Sequence, residues 1–101
     1  MARDESRFDW DRHNIAHVAK HKVKPEEVEE VLSNNTVFIE SEIDELSGEE
    51  RLSELGHTNA GRILFVVWTP RGKRVRPVTA FDADLKTQAL YTDVRFGRDD
   101  E

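Results

Sequence analysis

The stretch GRILFVVWT, residues 61 to 69, constrains the fold more than any other part of the chain. From Ile63 to Trp68 every side chain is apolar, so a strand here has no face suited to water. Strand side chains alternate between faces, and a strand that is apolar on both belongs at the centre of a sheet. Helices are expected over one face, and a further element or a partner over the other.

Turn signals bracket this run. Asn59-Ala60-Gly61 makes a tight turn from RLSELGHT into it, and PRGK turns out of it into RVRPVTAF. Pro77 places that last strand at an edge or a bulge, because proline cannot donate to a ladder. In RLSELGHT, Arg51, Ser53 and Leu55 point one way and Leu52 and Glu54 the other. Upstream, TVFIESEI reads as a first strand with Val37, Ile39, Ser41 and Ile43 on one face, followed by a loop from Leu46 to Glu50.

Two helices should precede these strands. Phe8-Asp9-Trp10 offers a short strand or staple, and Asp11 is a good N-cap for a helix over residues 12–21, with Ile15, Val18 and Ala19 facing the core. Pro25 with Glu26 and Glu27 opens a second helix, since proline suits the first position and acids complement the dipole. Val28, Val31 and Leu32 are its buried face, and Asn34 and Asn35 end it. A closing helix over roughly 84–93 is capped by Asp82 or Asp84, and the chain beyond Val94 is expected to fray. The fold class is α+β: two N-terminal helices, an antiparallel sheet of about four strands and a C-terminal helix. One domain over residues 1–101 is expected, with its core at about 8–93.

The 101 residues include no cysteine, which excludes disulfides and thiolate metal sites. No apolar run approaches the roughly 20 residues that span a bilayer, and the charged start MARDESRFDWD does not suit a signal peptide. A cytoplasmic protein without membrane contact is expected. The net charge of −6 is the wrong sign for indiscriminate nucleic-acid binding. It hides a segregation, however: Pro25 to Glu50 holds ten acids and no Lys or Arg, whereas Arg51 to Phe81 holds six basic residues and only Glu54. An acidic face suits a basic partner, and a basic strand surface suits phosphate.

RHNIAHVAKH places His13, His17 and His21 at intervals of one helical turn. As metal ligands, His17 and His21 form an i, i+4 pair, yet a third ligand and the adjacent Glu of metalloproteases are missing. As catalysts, imidazoles titrate near neutrality. As structure, His21 caps helix carbonyls, His17 packs at the helix–sheet boundary and His13 is exposed. The structural reading is preferred, with no metal and no cofactor. Trp10 and Trp68 are likewise read as core rather than as stacking platforms for bases.

FDWDRHNIAHVAKHKVKPEEVEEVL resembles the N-terminal half of the BrnT toxin family, where a Trp-Asp turn leads into a helix ending in a Lys-His or Arg-His pair. GEER at 48 to 51, Gly56, GRILFVVWT and RVRPVTA are similar to that family's later strands, in order, so the likeness covers about residues 8–91. It implies a toxin of a type II toxin–antitoxin pair: a small ribonuclease with a RelE-like fold, acting on RNA without metal and neutralised by a cognate antitoxin protein. Metal-free RNA cleavage uses the ribose 2′-OH as nucleophile and needs a base, an acid and cations around the phosphate. Arginine serves the last role through its planar fork.

Arg51, Arg62, Arg74 and Arg76 are therefore expected to line one concave sheet edge. Arg74 and Arg76 lie on the same side of their strand, and Arg76 is expected to be exposed. His57 lies in the turn region, and Tyr91 matches the family's late aromatic, placed either to donate a proton or to pack. Arg62, Lys73 and Lys86 are candidate RNA contacts. Two departures stand out: Phe81 occupies the place where the family has an arginine, and Lys86 is the only cation of ADLKTQALY. The alternative is accordingly a BrnT-like partner-binding module with weakened or absent catalysis. A homodimer is left open.

Overall fold

A computed structural model describes residues 7–97. The elements are α1 (Arg12–Ala19), α2 (Pro25–Ser33), β1 (Val37–Ile43), β2 (Glu50–His57), β3 (Ile63–Arg71), β4 (Arg74–Asp82) and α3 (Leu85–Phe96). This is the expected α+β arrangement. The four strands form one antiparallel sheet in the order β1-β2-β3-β4. Gly72, with φ of 62°, supplies the positive dihedral that the two-residue β3–β4 hairpin requires.

The apolar run in β3 is covered on both sides. Leu64 and Val66 pack with Ala80 under Val18, Val23, Val28 and Val31 of the helical layer. On the opposite face Ile63 and Phe65 join Leu55, Ala83 and Tyr91, so α3 is the second cover. Leu64 and Val66 are fully buried, and each contributes roughly 1.5–3 kcal/mol by leaving water. The approach of α2 to β2 is close. A Cβ on Gly56 would lie 2.8 Å from Val31 Cγ1 and 3.2 Å from the Val31 carbonyl oxygen.

Four details differ from the sequence expectations. Helix α1 stops at Ala19 rather than His21, and Lys22 then reverses the chain with φ of 60°. Its inward face is Asn14 and Val18, whereas Ile15 is 40% exposed and Ala19 is exposed too. The reason is polar: the Asn14 amide donates to the carbonyls of Asp9 and Pro77, and its Oδ1 accepts from the Asp11 N–H, which turns this face onto β4. In β1 the register slips between Phe38 and Glu40. The bulge breaks the alternation, so Phe38, Ser41 and Ile43 share one face and Ile39 does not join them. Helix α3 continues to Phe96, so residues 94–96 are helical, while 98–101 lie outside the described residues.

Pro77 sits on edge strand β4, next to a slip between Val67 and Trp68. Phe8 bridges in parallel to Val75, and α1 lies along the same strand, so the β4 edge is covered.

Candidate active site

The register decides which arginines meet. Thr69 of β3 pairs with Arg76 of β4, and Arg71 with Arg74, while Leu52 of β2 pairs with Trp68. Arg51 is thus brought beside Thr69, Arg71 and Arg76 on the face opposite α2. Helix α1 runs along the β4 edge and adds two imidazoles. The result is a groove of about 230 Å³ lined by His13, His17, Arg51, Arg71 and Arg76, with Thr69 and Pro77 also in its wall.

Each cation is held differently. Arg76 is only 18% exposed, less than expected, because Nη2 lies 3.0 Å from Asp11 Oδ2 and Nη1 3.6 Å from Asp9 Oδ2. Arg71 is more open, with Nη2 2.8 Å from Glu49. Arg51 Nε is buried without a hydrogen-bond partner. A buried N–H left unpaired is unfavourable, and an incoming acceptor relieves that. Thr69 is fixed by donating its hydroxyl hydrogen to the Glu50 carbonyl, 2.7 Å away.

The helix is aimed by its cap. The Asp11 carboxylate accepts from the N–H groups of His13 and Asn14, and these bonds, the one from Asn14 foremost, hold its pKa below the ordinary value. With Asn14 and Val18 turned inward, His13 and His17 lie on the adjacent flank, one turn apart and exposed. His17 therefore faces the groove and is not packed at the helix–sheet boundary. His21 lies beyond the helix end, with its ring 5.7 Å from that of Phe81. Among the described residues no three His, Asp or Glu side chains are placed to hold a metal ion.

The four-arginine edge expected from sequence does not form. Arg62 lies at the other end of the strands, beside the Ile63–His57 pair, and β2 rises about 20 Å from Arg51 to His57. There Arg62 clamps Asp82 through two bonds of 2.7 and 3.0 Å, reaches Glu27 at 3.0 Å and donates to the Lys22 carbonyl. Bonding to Asp82 raises the guanidinium pKa further, and the same contact lowers that of Asp82. Arg62 thus joins α2 to β4.

Other candidates scatter too. Arg74 shares the side of Arg76, but its Nη2 donates to the Phe8 carbonyl at 2.8 Å. Lys73 is exposed at the hairpin tip, and Lys86 is exposed in the first turn of α3. His57 Nδ1 is 3.0 Å from the Thr58 carbonyl and its ring is 6.2 Å from Tyr91. Tyr91 is 1% exposed and packs with Leu55 and Ala83. Packing, not the groove, is where the structure puts it. Trp10 and Trp68 each donate an indole N–H, to Glu29 and Glu54 respectively, which fixes both rings.

A sequence model of the family described as the ribonuclease toxin BrnT of type II toxin-antitoxin systems matches residues 10–86. The match contains α1, all four strands and every residue of the groove. The chain belongs to the BrnT toxin family. Membership implies a ribonuclease toxin of a type II system, with a protein antitoxin as its partner. No curated protein matches the sequence. Among the described residues no helix is long and apolar enough to cross a membrane.

Sequence reasoning missed His13, His17 and Arg71 as groove residues. The signal was present in the weakness of the α1 stripe. Ile15 and Ala19 are poor anchors compared with a helix held by Asn14 and Val18, and that rotation carries the histidines to the groove.

Proposed function

We propose that this BrnT-family protein cleaves RNA in the cytoplasm, without metal, at the groove between α1 and the Arg51–Arg76 side of the sheet. A single observation carries the reading: three arginines and two imidazoles converge on one open groove. Arg51, Arg71 and Arg76 hold the non-bridging oxygens of the scissile phosphate and stabilise the charge of the pentacoordinate transition state. One imidazole of the His13–His17 pair takes the proton from the ribose 2′-OH, whose oxygen attacks phosphorus. The other, protonated, gives its proton to the departing 5′-oxygen. The products are a 2′,3′-cyclic phosphate and a 5′-hydroxyl, and the two imidazoles finish with exchanged protonation states that solvent restores.

Carboxylates already occupying Arg71 and Arg76 support a second reading, in which the groove is too neutralised to catalyse well and the protein acts through its antitoxin alone. The test is cleavage of an end-labelled single-stranded RNA with chelator present throughout, comparing wild type with Arg71→Ala and His17→Ala. Cyclic-phosphate products that fall at least about 100-fold in both variants are expected. Undiminished cleavage by the variants rejects the groove. No cleavage by the wild type favours the second reading.

A further inference from the structure

Strand β1 is the open side of the sheet. It has β2 on one side and, among the described residues, no strand on the other, whereas the β4 edge is covered by Phe8 and α1. Every second N–H and C=O of such a strand points outward, unpaired by the sheet, which makes it a template for an added strand. Large apolar side chains stand along it: Phe38 is 56% exposed, Ile43 61%, and Leu46 in the following loop 98%. By register Phe38 and Ile43 share the sheet face of Leu52 and Trp68, away from Arg51.

The charge says what kind of strand fits. Natural edges are often protected by lysine, but from Pro25 to Glu50 there is no Lys or Arg, and Glu40 and Glu42 lie within β1 itself. A second copy pairing here would set acids against acids, which opposes self-association. A cationic segment meets complementary charge and, with apolar residues at alternate positions, covers Phe38 and Ile43.

We infer that the antitoxin docks on β1, adding an extended cationic and apolar segment as a fifth strand. The inference rests on the family's protein partner and not on the cleavage chemistry. Glu42 pairs with Arg51 across the ladder, so a strand on β1 lies one strand beyond the groove wall, near enough for the rest of the antitoxin to reach RNA's place.

The experiment titrates the purified cognate antitoxin onto the full chain at low and high salt, using wild type, Phe38→Ser/Ile43→Ser and Glu40→Lys. Amide exchange across β1 is measured in the wild-type complex. The expected results are at least tenfold weaker binding by both variants, a salt-sensitive wild-type affinity, and slowed exchange in β1 on binding. RNA cleavage by the free apolar double variant should match wild type, because its side chains face away from the groove; a protein that cleaves no RNA but shows these binding results leaves the docking inference standing. Full affinity in the variants with unchanged β1 exchange would overturn it. So would self-association of the free chain that the double variant abolishes, which would assign the edge to a second copy.

Discussion

Arg76 and Asp11 are joined by an ion pair of 3.0 Å, and the other oxygen of the same carboxylate caps α1. One side chain thus couples a groove arginine to the helix that carries His13 and His17. The pair is a positioning device, and its strength depends on Asp11 being ionised.

Asp11 is held below the ordinary carboxylate value of 3.8, chiefly by the Asn14 N–H and with Arg76 contributing. A lowered folded-state pKa gives stability that is fully present above the unfolded value and is lost as pH falls through the folded one. Asp44, Asp82 and Asp84 shift in the same direction, so their losses add. The thermal midpoint should therefore fall as the pH drops through the ordinary carboxylate value of 3.8 and below it. Asp11→Asn keeps a cap acceptor but no charge: it should melt lower than wild type near neutrality and lose less on acidification, as melting curves across pH would show.

Arg62 has a hydrogen-bond network of its own, to Asp82, Glu27 and the Lys22 carbonyl, but no place in the groove. Removing it leaves Glu27, Asp82 and the Lys22 carbonyl without their shared donor. Arg62→Ala is expected to destabilise by about 2 kcal/mol, in the range for hydrogen bonds to charged groups. Per folded molecule, RNA cleavage should be unchanged; denaturant titration beside a cleavage assay separates the two.

Gly56 is required by the contact between α2 and β2, not by its dihedral. Gly56→Ala forces Val31 and Thr36 to shift, since the new methyl would meet their side chains at 2.8 and 3.0 Å. A loss of about 1–3 kcal/mol is expected from overpacking. Val31→Ala in the same chain should restore part of it, and additive losses in a double-mutant cycle would argue against the contact.

Phe81 stacks on Phe65 with ring centroids 5.3 Å apart, at the α3 end of the sheet and away from the groove. Placing an arginine there should therefore not speed cleavage. Phe81→Arg is expected to lose the stack, worth about 0.5–1.5 kcal/mol, with kcat unchanged. A marked rise in kcat would mean that the active site extends past the groove.

The proposed proton transfers can be separated with an RNA whose 5′-leaving oxygen is replaced by sulfur. A thiolate leaves without a proton, so the variant that lacks the acid, His13→Ala or His17→Ala, should cleave this substrate near the wild-type rate. The variant that lacks the base should stay slow, by roughly 100-fold or more. Equal loss in both variants on both substrates would make the histidines structural.

Sequence alone determined the layers of this protein. An apolar run in β3 demanded cover on both faces, Asp11 and Pro25 marked helix starts, and Pro77 marked an edge, because each of these is a local requirement of backbone or burial that neighbours in sequence reveal. The resemblance carried by the Trp10-Asp11 turn and the later strands reached the family for the same reason: its motifs are short and ordered along the chain. What the tertiary structure decided was which charges meet. Whether Arg62 or Arg71 stands beside Arg51 depends on strand register and direction, and whether His17 faces the core or the groove depends on the rotation that Asn14 imposes on α1 through the Pro77 carbonyl. Those contacts join residues up to 63 positions apart, and no periodicity in the sequence encodes them.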